Sequence, residues 1–429
     1  MYHLSLHLKM HPMKFEDYRI SQKIKDSIAQ LGYKKPTDIQ FRCIPPILKG
    51  EDVLAIAQTG TGKTAAFAIP ILQLMLARKT KTSYNEGVKC LVLAPTHELA
   101  LQTADVFNTL GKYTQVTIVC IHGGVDQAPQ IEKLNRGVDV VVATPGRMFD
   151  LVSQGSLNMK NLQILVLDEA DHMLDKGFIQ DIHDLMRHIP KNRQTLFFSA
   201  TINDKIKKLA YSLVTDAIRI QISPKDPVAK NIEHAVAFIE MDDKRFFLEY
   251  LIKENPDKKM LVFVRTKVRA ERVMKAMERA GLNVGTIHGD KLQAEREATM
   301  KSFRSGEMSV LVATDVSARG IDIPNVDYVI NYDLPETSEN YVHRVGRTGR
   351  GSMKGQAYSF CSTEEKPVLQ EIEDNLGKPV ARIEISKRDY QTTLELTTEK
   401  ENDWRALMQK AQQEELLQSK RKKKPGRKK

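Results

Sequence analysis

Three stretches carry residue types at spacings suited to chemistry. In "AIAQTGTGKTAAF" (residues 55–67), Gly60, Gly62, Lys63 and Thr64 follow an apolar run and open a helical one. A phosphate loop needs that setting, because glycines let backbone N–H groups approach the phosphates and the helix N-terminus adds its dipole. Lys63 would meet the β and γ phosphates and Thr64 would bind a magnesium ion, with Gln58, Thr59, Gly60, Thr61 and Gly62 forming the cradle. The full pattern asks for glycine at position 57, where this chain has Ala57, so the loop is a variant.

The second stretch, "ILVLDEADHMLD" (164–175), runs four branched apolar side chains into Asp168, Glu169 and Asp171. One reading is a buried strand that hands over to a helix whose first turn carries acids, which suits the helix dipole and needs no function. The phosphate loop supplies another. Phosphoryl transfer to water needs a hydrated magnesium ion and a group that orients the attacking water, both at the ends of neighbouring strands. Asp168 suits the metal and Glu169 the water. The third stretch, "YVHRVGRTGR" (341–350), spaces Arg344, Arg347 and Arg350 evenly, with Gly346 and Gly349 between them. Guanidinium groups match phosphate geometry and stabilise transition-state charge, and a cluster that binds only nucleic acid is the plainer alternative.

Short runs rich in Val, Ile and Leu must position these groups. They are "VLAIA" (53–57), "CLVLA" (90–94), "TIVCI" (117–121), "VDVVVA" (138–143), "ILVL" (164–167) and "TLFFS" (195–199). A second set follows: "AVAFIE" (235–240), "MLVFV" (260–264), "VGTI" (284–287), "VLVA" (310–313), "VDYVIN" (326–331) and "AYSF" (357–360). None alternates strictly, as expected of parallel strands covered by helices on both faces. Between the sets, "SPKDPVAKN" has two prolines and no apolar period and reads as a linker. The expected organisation is an N-terminal extension over 1–14, a first α/β domain over 15–222, a linker over 223–231, a second α/β domain over 232–385 and a basic tail over 386–429.

A chain of 429 residues suits two cores, and its net charge of +11 is concentrated in "KRKKKPGRKK", which holds eight Lys or Arg and no acid. Such an arm reads as disordered and binds polyanions through phosphate contacts, with plain solubility as the alternative. The four cysteines are far apart, without zinc or disulfide spacing, so a reducing, cytoplasmic setting is expected. No segment reads as a signal peptide or a membrane span. Met10 and Met13 both fit as starts.

Taken in order, "GYKKPTDIQ", "AQTGTGKT", "PTHELALQ", "GG", "TPGR", "DEAD", "SAT", "VFVRTK", "VLVATDVSARGID" and "HRVGRTGR" resemble the motifs of DEAD-box ATP-dependent RNA helicases over about residues 15–365. The short N-terminus and basic tail resemble the bacterial RhlE-like branch. The resemblance implies two tandem RecA-like domains, each a mainly parallel sheet flanked by helices, joined by a short linker and followed by a basic disordered tail. It also implies ATP and Mg2+ as cofactors and RNA as partner. Phe15 would stack on the adenine, Gln40 would read its edge with Tyr33 and Thr37 nearby, and Asp322 would touch the ribose. Ser199 and Thr201 would bond to Asp171 and couple the ATP site to strand separation. Arg347 and Arg350 would be arginine fingers, and His343 would help bridge the domains.

For RNA, the resemblance assigns Pro95, Thr96, Gly123, Gly124, Thr144, Pro145, Gly146 and Arg147 in the first domain, and Thr266, Gln293, Arg296, Thr314 and Gly320 in the second. Small, polar or basic residues at strand ends suit phosphates and 2′-hydroxyls and are poor readers of base edges, so binding independent of sequence is expected. His97 stands where the family commonly has Arg, which puts one contact in doubt. The expected activity is ATP-driven closure of two domains on single-stranded RNA, separating short duplexes. An ATP-gated clamp or annealing chaperone and a DNA translocase are the competing readings. The target RNA and the oligomeric state are not written in these residues.

Overall fold

The computed structural model describes residues 14–58, 60–79, 87–222, 228, 231–318, 326–349 and 354–395. Nearly all of the N-terminal extension, most of the linker and most of the basic tail lie outside the described residues.

Seven strands build the first sheet: β1 (Val53–Ala57), β2 (Cys90–Leu93), β3 (Ile118–Ile121), β4 (Val140–Ala143), β5 (Ile164–Leu167), β6 (Gln194–Ser199) and β7 (Ile218–Ile222), in the order β3-β4-β2-β5-β6-β1-β7. The second sheet holds β8 (Ile232–Phe238), β9 (Met260–Val264), β10 (Val284–Ile287), β11 (Val310–Thr314), β12 (Tyr328–Asn331), β13 (Gly355–Cys361) and β14 (Ala381–Ile383), in the order β10-β11-β9-β12-β13-β8-β14. Every pairing is parallel.

The continuous apolar runs follow from double-sided burial. Along β1, Val53, Ala55 and Ala57 enter one core while Leu54 and Ile56 enter the core on the opposite face. In β9, Leu261 and Phe263 face one core and Met260, Val262 and Val264 the other. Neither face of a central strand can be polar. One edge of each sheet differs: β7 and β14, absent from the apolar runs, are largely exposed strands that bury at most one residue. β8 starts at Ile232, earlier than its apolar run, because Ile232–His234 pair with Gly355–Ala357 of β13.

Loops at the carboxyl ends of parallel strands form the usual crevice of such sheets. In the first sheet β6 lies between β1 and β5, so the loops after these three strands are neighbours. The domains touch beside that crevice. Arg296, in helix Gln293–Ser305, meets Glu98, in helix His97–Leu110, at 2.5 Å, and His97 Nδ1 lies 3.2 Å from Gln293 Oε1. Among the described residues no helix is long and apolar enough to cross a membrane.

Candidate nucleotide and RNA site

The loop after β1 turns on Gly60 (φ +80°) and Gly62 (φ +92°) before helix Lys63–Lys79 begins. At Gly62 a side chain is barred twice over: by the positive φ, and because a Cβ would lie 2.6 Å from Gln40 Nε2. Gln40 is buried; its Oε1 accepts from the Thr37 N–H at 3.0 Å and its Nε2 donates to the Gly62 carbonyl at 3.2 Å. It therefore ties helix Asp38–Lys49 to the loop, and its second N–H and remaining lone pair are the atoms left for an adenine edge. Lys63, buried, donates to the Ala57 carbonyl at 2.7 Å, which holds the ammonium at the loop's centre. Thr61 Oγ1 closes the turn on the Gln58 carbonyl at 2.7 Å, and Thr64 is half-buried one residue into the helix. Thr59 lies outside the described residues.

The aromatic expected to stack on adenine is placed differently. Phe15 is 2% exposed and packed into the first-domain core, so neither ring face is open. Tyr33, its neighbour at 6.5 Å between centroids, is 41% exposed and carries the available ring.

At the end of β5, Asp168 is buried and its N–H continues the pairing with β2 through the Leu93 carbonyl at 3.0 Å. Burial pushes its carboxyl up to about 7, against the pull of Lys63 and with the charge of Glu169 adding to the rise. Glu169 adopts a left-handed backbone (φ +51°), which costs a non-glycine residue on the order of 1 kcal/mol. It occupies the N-cap of helix Ala170–Asp175, yet its side chain caps nothing, so the capping explanation fails for this residue. Burial would raise its pKa. The nearby His172 imidazole, 3.6 Å away, and the charges of Lys63 and Arg347 outweigh that and hold Glu169 below the usual carboxylate range.

Asp171 links β5 to β6. Its Oδ2 accepts from the backbone N–H groups of Ala200 and Thr201, both at 3.0 Å, and from Thr201 Oγ1 at 3.3 Å. The bond expected from Ser199 is not made: Ser199 Oγ accepts from the Thr201 N–H at 3.4 Å, and the Ala200 N–H supplies the contact to Asp171 instead. A backbone donor leaves no trace in side-chain identity, so sequence reasoning had no signal for it.

Across the cleft, Arg347 is 4% exposed and lines, with His343, a cavity whose other walls include Glu169, Asp171, His172 and Thr201. The evenly spaced arginines divide in function. Arg344 is 2% exposed and held by Asp315 at 2.6 and 2.7 Å, by the Asp333 carbonyl at 2.6 Å and over the Phe263 ring. It locks the second domain internally and has no free edge for phosphate. Asp315, directly after β11, was the signal for this partner, an acid at a strand end like Asp168. Arg350, Asp322 and Gly320 lie outside the described residues.

The residues assigned to RNA sit on helix starts and tight loops. Thr96, Thr144 and Thr266 are the N-caps of helices His97–Leu110, Pro145–Ser153 and Lys267–Arg279. Pro145 and Gly146 form the first turn of their helix, and Gly124 (φ +76°) follows Gly123 beside His97. Pro95 offers its carbonyl to Lys176 Nζ at 3.1 Å, and Thr314 Oγ1 donates to Ser317 Oγ at 3.3 Å. Several polar members already have protein partners: Arg147 donates to the Val125 carbonyl at 2.9 Å, Gln293 Nε2 donates to Glu297 at 3.0 Å, and Arg296 is committed to Glu98.

Two tandem RecA-like domains, with a phosphate loop in the first and an arginine of the second beside the acid that follows β5, define a two-domain P-loop motor fold. The comparisons agree. Residues 37–209 match the DEAD/DEAH box helicase model and residues 243–352 the helicase conserved C-terminal domain. The ATP-dependent RNA helicase DeaD of Mycobacterium tuberculosis is 41% identical over 361 residues, covering 84% of this chain and 62% of that protein, so the chain spans less than two thirds of that relative. The DEAD-box ATP-dependent RNA helicase CshA of Geobacillus kaustophilus is 38% identical over 371 residues, covering 86% of this chain and 78% of that one. The chain belongs to the DEAD-box ATP-dependent RNA helicase family.

Among solved structures, S. cerevisiae Dbp5 bound to RNA and ADP BeF3 superposes with a TM-score of 0.78 at 30% identity, covering 89% of this chain and 99% of that one. A Dbp5 variant bound to Nup159, Gle1, IP6 and ADP gives 0.60. The chain superposes better on the former than on the latter.

Proposed function

We propose that this chain hydrolyses ATP to close its two domains on single-stranded RNA and thereby separates short RNA duplexes. One observation carries the reading: Glu169 of the first domain lines a small gap with Arg347 of the second and feels the charges of both Arg347 and Lys63, so a cation from each domain stands near the acid that follows β5. ATP can drive closure only to the extent that it binds the closed state better, and a cation contributed by the second domain supplies that difference. Lys63 would hold the β and γ phosphates, Glu169 would orient the attacking water, and Arg347 would stabilise the charge that develops. Tyr33 and Gln40 would receive the adenine, and Asp171 with Thr201 would transmit the state of the site to the RNA-facing loops.

Asp168 and Thr64 offer the hard oxygen ligands that Mg2+ takes. A carboxylate pushed up to about 7 by burial is one that a nearby cation restores to its charged form, which supports the fit. Bound there, the ion would neutralise phosphate charge. Four cysteines outside any disulfide, three buried and one half-buried, support a reducing, cytoplasmic setting.

The test is RNA-stimulated ATPase with duplex separation. Lys63→Ala should lose ATP affinity. Glu169→Gln should keep ATP and RNA binding while turnover falls by roughly 10²–10⁴. Normal turnover in that variant removes its assigned role, and equal stimulation by DNA removes the preference for RNA.

A further inference from the structure

On the outer side of the second domain, a pocket of about 450 Å3 lies between helix Lys244–Glu254 and helix Lys267–Arg279. Arg245, Arg269, Arg272, Lys275 and Arg279 line it, against one acid, Asp242. Its floor is apolar and closed: Val273 and the Tyr332 ring are both buried. Elsewhere, exposed helical cations are commonly matched by acids one turn away, as in Arg136–Glu132, Arg187–Asp184, Lys207–Asp204 and Lys253–Glu249. Arg272, Lys275 and Arg279 are exposed, and none of their side chains forms an ion pair or hydrogen bond with a described residue. A concave surface holding four more cations than carboxylates concentrates polyanions, and the side chains of Arg272, Lys275 and Arg279 are matched by no acid among the described residues.

The placement indicates which polyanion. Thr266, the N-cap of the same helix, is among the residues assigned to the RNA-binding face. From there the cations continue down one side of the helix, and Arg269 to Arg279 spans about 15 Å at the helical rise, an elongated track rather than a seat for one small anion. Arg269 anchors the near end: its guanidinium contacts Asp333 at 3.3 Å and lies 5.9 Å from the Tyr332 ring. We infer that Arg272, Lys275 and Arg279, with Arg245 and Arg269, form a second RNA site that holds the phosphate backbone of the strand or duplex continuing past the closed cleft. This rests on the RNA-helicase reading above and extends it to longer RNA. With no exposed ring on the floor to stack a base, the site would be indifferent to sequence.

The test uses the full chain carrying Arg272→Gln, Lys275→Gln and Arg279→Gln together, with RNA binding measured in the presence of ADP-BeF3. One RNA is just long enough to fill the cleft, and others are extended at the 5′ or the 3′ end. The variant should bind the short RNA within about twofold of wild type. On RNA extended at one of the two ends it should lose affinity several-fold, and its salt slope should fall by about two, since each single-strand phosphate contact contributes roughly 0.7. The charge-preserving variant Arg272→Lys with Arg279→Lys should keep the wild-type slope. Equal loss on short and extended RNA, or no loss on any extended RNA, overturns the inference. Failure of the helicase reading would be visible separately, as a wild-type ATPase that RNA does not stimulate.

Discussion

Charge reversal at Glu98 tests the closed arrangement most directly, because the pair it breaks spans the two domains. Glu98 and Arg296 are in contact at 2.5 Å with side chains 11% and 14% exposed, so both charges are largely desolvated when the domains meet. Breaking a buried pair by removing one partner costs about 3–5 kcal/mol. The lower end applies here, since Arg296 Nε has no hydrogen-bond partner and the contact is not aligned as a fork. On opening, both side chains return to water, so the cost falls on the closed state alone. Taking about 3 kcal/mol, Glu98→Arg should weaken RNA binding in the presence of an ATP analogue by roughly 150-fold. RNA binding without nucleotide should change little. Combining Glu98→Arg with Arg296→Glu restores the pair in the opposite sense and should recover most of the loss, the signature of a direct interaction. The assay is RNA affinity with and without analogue across the four proteins. A Glu98→Arg protein that closes on RNA as well as wild type, or a double variant no better than the single ones, would refute the reasoning.

Three further outcomes are expected. Gly62→Ala forces a Cβ toward Gln40 Nε2 at a φ of +92°, so ATP affinity should fall and the melting temperature should drop by the equivalent of about 1–3 kcal/mol; unchanged values in a nucleotide titration and a thermal melt would remove the argument. His97 is held below its ordinary 6.5 chiefly by burial, with His122 and Arg296 acting the same way and Gln293 and Glu98 opposing. The closed state therefore carries this ring neutral, and RNA affinity with analogue should hold above about pH 6.5 and weaken as pH falls below it; a His97→Gln protein with the same pH profile would contradict this. Arg344→Lys cannot reproduce the two-point contact with Asp315 or the bond to the Asp333 carbonyl, and the second domain should lose about 2–4 kcal/mol in denaturant unfolding.

Much of the fold was readable because burial on both sheet faces leaves a linear record. The runs around Val53–Ala57, Ile164–Leu167 and Met260–Val264 coincide with β1, β5 and β9. Of the four edge strands, β7 and β14 escaped, because they are largely exposed and carry no continuous apolar run, whereas β3 and β10 do. Local chemistry was equally legible where one loop supplies it: Gly60, Gly62 and Lys63 lie within four residues of the chain. Partnerships between distant segments were not. That Phe15 is core while Tyr33 is open, that Asp171 takes backbone donors from Ala200 and Thr201, and that Arg344 is withdrawn onto Asp315 are packing outcomes. Residue type alone did not distinguish them.

By itself the sequence determined two parallel α/β units, a phosphate loop and a pair of acids at another strand end, because strand burial and loop chemistry depend on residues adjacent in the chain. Only the tertiary structure decided which cations serve the cleft. Arg347 turns toward Glu169, Arg296 toward Glu98 and Arg344 into the core, while Arg272 and Arg279 are left unmatched on the outside. The physical reason is that a guanidinium's role is set by the nearest carboxylate and the water it loses, and both are fixed by elements far apart in the chain.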